Sequence, residues 1–209
     1  MLVCLLGAFV TKTFTVLFST FWLLFITSFI GTSISDENQA KNIYTLVMLI
    51  SVFLGVITMP VVGMFADRVM PAFTLPIAFL VRAVACTMFM FIESPNGWYS
   101  YVTAVFLVVG TVFENVTVDA VLMRNTDREI RGLVFGCAIA IGMFGQLVFS
   151  IAAGFAYDEI SVYSPFALCG MLDLSFGLTM IVCGLCGCLK DDISMREAKR
   201  RIGDTQRAL

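Results

Sequence analysis

Long apolar runs alternate with short polar breaks along the whole chain, and that alternation predicts six helices crossing a membrane. The runs cover residues 5–31, 43–65, 72–92, 98–123, 132–157 and 165–189. Each approaches or exceeds the roughly 20 apolar residues that a helix needs to span the hydrocarbon layer, where backbone groups must be satisfied inside the segment. The first run is too long and too aromatic for a cleaved signal peptide and lacks a basic leader, so it reads as a span. Residues 33–42 read as a polar loop carrying Asp36, Glu37 and Lys41. Residues 63–71, Gly-Met-Phe-Ala-Asp-Arg-Val-Met-Pro, place an acid, a base and a proline between two apolar runs and predict a tight turn. Residues 190–209 read as a polar tail, either a short amphipathic helix or disordered.

Within the runs, polar residues are sorted by face. In the fourth, Ser100, Thr103, Gly110, Glu114 and Thr117 form one stripe, and Thr111, Asn115 and Asp119 form the adjacent one. Phe106, Val109, Phe113, Val116 and Ala120 lie opposite, so this helix has one wet face and is expected to line a cavity. The fifth run carries two ridges of small residues, Gly132-Gly136-Ala140 and Gly142-Gln146-Ser150-Gly154, suited to close helix approach. Gln146 is a candidate for a cavity contact or an interhelical hydrogen bond. Phe14, Phe18, Phe21, Phe25 and Phe29 form an aromatic ridge on the first run, expected to serve packing or lipid contact before substrate binding.

Composition narrows the class. With 59% hydrophobic residues, 13% charged residues and a mean hydropathy of +0.95, the 209-residue chain is an all-α integral membrane protein with no room for a soluble domain. A net charge of −2 without a basic patch offers nucleic acid no footprint. Placement of charge says more. Eleven Lys and Arg residues (Lys12, Arg68, Arg124, Arg128, Arg131 and six in the tail) fall on one side, Lys41 alone falls on the other, and Arg82 lies within a span. The positive-inside rule therefore predicts a multi-pass protein with both termini cytoplasmic, in a plasma or organelle membrane. The seven cysteines lie in or beside apolar runs, as packing residues do. Cys183, Cys186 and Cys188 have metal-like spacing, but the chain has no histidine, and palmitoylation at Cys186 or Cys188 is the better functional reading. No cofactor, metal or enzymatic nucleophile-and-base arrangement is expected.

Four charged side chains fall inside predicted spans: Arg82, Glu114, Asp119 and Asp173. A charge at a helix centre costs roughly 2.5–3.5 kcal/mol, so such residues face a cavity or a partner. Glu114 reads either as a proton or cation site or as half of an ion pair with Arg82. Asp119 is expected to pair with Arg124 or Arg68. The candidate substrate or ion pathway is Glu114, Asn115, Asp119, Thr111, Gln146 and Arg82.

Gly63, Asp67 and Arg68 resemble the loop signature of the major facilitator superfamily of secondary transporters; Met70, Pro71 and Ala72 replace its later glycine and basic pair, as in the copy found in second halves. Residues 124–132, Arg-Asn-Thr-Asp-Arg-Glu-Ile-Arg-Gly, resemble the loop between the fourth and fifth helices of a facilitator half, and Gly154-Phe-Ala-Tyr-Asp158 before Pro165 follows in order. The resemblance implies a carboxy-terminal six-helix half with a three-plus-three repeat. It further implies a cytoplasmic gate loop at Gly63, Asp67 and Arg68, and alternating-access transport of a small organic solute. The partners implied are the lipid bilayer, that solute and a second six-helix half, whether a missing amino-terminal half, a second copy or another subunit. The rival expectation is a non-transporting membrane subunit or assembly protein that keeps the half-transporter fold.

Overall fold

A computed structural model describes residues 2–185. The readings at Cys186, Cys188, the end of the last run and residues 190–209 lie outside the described residues. Within them the structure is all helical apart from one isolated bridge between Ile30 and Ile34. Six helices are long and apolar enough to cross a membrane: span 1 (Leu5–Thr27), span 2 (Glu37–Arg68), span 3 (Phe73–Phe91), span 4 (Trp98–Arg124), span 5 (Arg131–Glu159) and span 6 (Ser164–Gly184).

Span 2 is longer at both ends than its apolar run. The Asp36 carboxylate accepts the Gln39 N–H at 2.8 Å, and Glu37 pairs with Lys41 one turn on at 2.8 Å. A capped first turn with an i,i+4 ion pair is helical despite its polarity, so the loop expected over residues 33–42 ends at the N-cap. At its other end the helix continues through Pro60 and Gly63 to Arg68, leaving only Val69 and Met70 as the turn before Pro71 opens the next helix. Proline is favoured at a first helical position because the N–H it lacks has no partner there.

Span 1 is not one helix. Helix Leu2–Thr11 gives way at Lys12 to a short turn, Thr13–Val16, then to a π-helical turn, Leu17–Phe21, before Trp22–Thr27 resumes the α form. The sequence reading counted Lys12 with the charges outside the membrane; it lies inside span 1, so that count falls from eleven to ten.

Spans 3 and 6 pack on each other, span 2 packs on span 4, span 5 packs on span 1, and span 3 also packs on span 4. That is the pairing expected when two three-helix repeats exchange partners. Spans 3 and 4 form the centre, whereas span 2 is only 17% buried along its apolar window. Small residues set the closest approaches. A Cβ on Gly110 would stand 3.1 Å from the Arg82 Cα, one on Gly170 would stand 3.1 Å from the Cys86 Cβ, and one on Gly142 would stand 3.0 Å from the Ala8 carbonyl oxygen. The predicted ridges of span 5 are used in part. Gly142 and Gly145 meet span 1, but Gly132, Gly136 and Gly154 face open space. Phe18, Phe21 and Phe25 of the aromatic ridge pack inward, Phe25 meeting Phe166 edge-on at 5.6 Å, and neighbouring Trp22 meets Phe89 edge-on at 5.0 Å. These rings lie toward the end of the bundle opposite the arginine-rich turn.

The Gly110 contact yields a test. Gly110→Val must push the backbones of spans 3 and 4 apart, at an overpacking cost of about 1–3 kcal/mol. A clear drop in melting temperature in detergent is expected, with Gly136→Val, in open space, melting like the parent chain.

Candidate functional site

The centre of the bundle is built around a fully buried arginine. Arg82 sits at mid-height of span 3, where Gly110 lets the backbone of span 4 come close. Its Nε donates to Asp173 Oδ2 of span 6 at 2.6 Å and its Nη2 to Oδ1 of the same carboxylate, a two-pronged contact that matches the planar guanidinium. Its Nη1 stands 2.6 Å from Glu114 Oε2 of span 4, an ion pair through one oxygen where Asp173 offers two. The remaining donors reach the carbonyls of Thr11 at 3.4 Å and Val10 at 3.3 Å.

Those carbonyls are available because span 1 breaks at Lys12. In an unbroken helix they would be taken by N–H groups one turn on; here the Thr13 hydroxyl and Arg82 share the Val10 oxygen. One side chain thus ties spans 1, 3, 4 and 6. Cys169 lies beside it, its sulfur 3.9 Å from Asp173 Oδ2 and 3.8 Å from the Thr13 hydroxyl. The donor atoms of Cys86, Cys169 and Asp173 lie within 4.8 Å of one another, a set that suits a soft metal ion. With both Asp173 oxygens on Arg82, the guanidinium charge repels such an ion. The arrangement is that of a structural joint.

The sequence-predicted residues divide into two groups. Arg82 and Glu114 meet at the joint, as the ion-pair reading has it, and Asp173 completes them. Thr111 is buried and donates to the Leu107 carbonyl at 2.8 Å. Asn115 is half-buried and donates to the Thr111 carbonyl at 3.0 Å. Asp119 is exposed and its expected pairing is corrected. Arg124 donates to Asp67 Oδ1 at 3.1 Å and to the Ala66 carbonyl at 2.9 Å and makes no ion pair with Asp119. Lys12 was missed as a site residue, though a lone lysine inside an apolar run is itself the signal. Its side chain passes over Gly142, where a Cβ would stand 2.6 Å from the Lys12 Cγ. Half-buried Gln146 lies one turn beyond Gly142. Lys12, Asn115, Asp119 and Gln146 are thus polar side chains of spans 1, 4 and 5 that lie outside the joint and are half-buried or exposed.

At the expected gate loop, Asp67 holds Arg124, and the following helix starts at N-cap Met70 with no side-chain capping bond. Gly63 faces open space, so it mediates no close helix contact within the described residues. Arg68 is exposed.

The sequence profile of the Major Facilitator Superfamily matches residues 4–189, nearly the whole chain. Comparison with curated proteins finds no match, and comparison with solved structures finds none.

The unequal contacts of Arg82 predict unequal mutational costs. Asp173→Asn removes the two-pronged partner and leaves a buried guanidinium poorly compensated, a loss of about 3–5 kcal/mol. Glu114→Gln removes a contact made through one oxygen only and is expected to cost less. Melting temperatures of the two variants in detergent check the order; equal losses would count against the asymmetry.

Proposed function

The chain belongs to the Major Facilitator Superfamily of membrane transporters, and we propose that it carries a small organic solute by alternating access as one six-helix bundle working against a second. The observation that supports this most is the division of its polar residues. One set is locked at the joint of four spans, and the other stands partly open on spans 1, 4 and 5.

Alternating access needs bundles that move as bodies around a site between them. A buried guanidinium held from four spans supplies that rigidity, because separating any one span leaves charge or carbonyl oxygen unsatisfied in hydrocarbon. Arg82 and Glu114 then hold the frame, with Thr111 behind the lining. Lys12, Asn115, Asp119 and Gln146 are the pathway residues. They offer a cation, an anion and two amides, which orient a polar solute by charge and hydrogen bonds while the apolar wall accommodates its carbon frame. Asp67 and Arg124 fasten the ends of spans 2 and 4, and the exposed Gly63 and Arg68 surface is left for the opposing bundle. That bundle is the amino-terminal half of a longer carrier, a second copy or another subunit. The ten-to-one bias of Lys and Arg supports a cytoplasmic location for the arginine-rich end.

Uptake by proteoliposomes that contain both bundles tests the reading. In a panel of small organic solutes at least one is expected to accumulate, with Asp119→Asn and Lys12→Met each lowering its uptake tenfold or more at unchanged melting temperature. If both variants transport like the parent, this face is not the path. If no solute enters, the non-transporting subunit is the better description.

A further inference from the structure

A pocket of about 460 Å³ lies at the turn between spans 4 and 5, lined by Met123, Arg124, Thr126, Asp127, Arg128 and Arg131. Three guanidinium-bearing side chains share its wall. Arg124 is anchored to Ala66 and Asp67, and Arg131 donates through Nη2 to the Met123 carbonyl at 3.2 Å. The Nε of Arg131 is buried and has no hydrogen-bond partner among the described residues, while Arg128 is exposed. Span 5 begins at Arg131, and its N-cap Ile130 provides no side-chain cap, so the positive end of a 29-residue helix opens on the same turn. Asp127 lies in the wall and is already engaged within the protein.

This is an anion site by charge, and its surroundings identify the kind of anion. Met123 of the pocket wall is 45% exposed, and Ile130 and Leu133, which flank Arg131 in sequence, are 47% and 72% exposed. A free anion has no use for them. An amphiphile with a phosphate at one end and acyl chains at the other satisfies both halves. We propose that this pocket binds the headgroup phosphate of an anionic membrane phospholipid, with Arg128, Arg131 and the amide end of span 5 on the phosphate and the acyl chains along Ile130 and Leu133. Basic pockets at the ends of membrane helices recognise such headgroups by charge, and guanidinium groups meet phosphate oxygens in matched pairs. Because Arg124 holds Asp67, a lipid seated here also bears on the contact between spans 2 and 4. The site stands whether or not the chain transports.

Native mass spectrometry of the full chain in detergent, titrated with dioleoylphosphatidylglycerol and dioleoylphosphatidylcholine, tests the proposal. The anionic lipid is expected to be retained in preference, and Arg128→Gln to weaken its binding about fivefold, with Arg128→Gln/Arg131→Gln weaker by roughly that factor again. Phosphatidylcholine adducts and the melting temperature report whether each variant remains folded, and exposed Arg128 alone suffices if the double variant does not. Phosphatidylglycerol binding that is unchanged in folded Arg128→Gln would overturn the site. Displacement of the lipid by millimolar sodium phosphate would overturn its assignment to a lipid and leave a free-anion site.

Discussion

A guanidinium in hydrocarbon needs partners on every side, and Arg82 finds them on four different parts of the chain. The Asp173 carboxylate, the Glu114 carboxylate and the carbonyls of Val10 and Thr11 surround it at mid-bundle. Helix association in a membrane has no hydrophobic drive of its own, because lipid tails are as apolar as leucine. Close packing and buried polar contacts must do that work. Here they coincide: Gly110 brings span 4 against Arg82, and Gly170 brings span 6 against Cys86 one turn away. The irregular stretch of span 1 belongs to the same arrangement. A continuous helix would have occupied the carbonyls that Arg82 uses, so the break at Lys12 and the joint are two aspects of one feature.

Around that joint the bundle is graded along its length. At one end, stacked and edge-on rings of Trp22, Phe89 and Phe166 pack together, with the Tyr99 and Tyr163 hydroxyls donating to the Met88 and Ile92 carbonyls nearby. At the other, Arg124 ties spans 2 and 4 through Asp67 and the Ala66 carbonyl, beside the arginine-lined pocket. Between the joint and that end, Lys12 and Asp119 carry opposite charges on neighbouring spans. Spans 3 and 4 are buried and spans 2 and 5 are largely uncovered, so the bundle has a firm centre and a broad apolar perimeter for lipid or another bundle.

The misreadings have physical causes. Residues 37–42 are polar enough to pass for a loop, but a capped first turn with the Glu37–Lys41 pair is helical whatever its polarity. Asp119 could reach Arg124 by spacing alone; that arginine is already taken. The Asp119 reading assigned that side chain to a neighbour in sequence, whereas Arg124 meets Asp67 on another helix.

Membrane insertion, the number of spans and the family were determined by the sequence alone, because hydrocarbon imposes length and apolarity on every crossing segment locally, and the motifs recur in order along the chain. Periodicity also sorted Glu114 onto the polar stripe of span 4, but that stripe, expected to be wet and to line a cavity, is buried against the neighbouring spans, with Ser100, Thr103, Glu114 and Thr117 all inside the bundle. It also marked Arg82 and Asp173 as charges in need of partners. Which partners they take was decided only by the tertiary structure. A carboxylate on a helix face reads the same whether it meets a solute or an arginine, and the difference lies in how close another backbone comes. That approach depends on glycines distant in sequence and on a helix break that no local pattern announces.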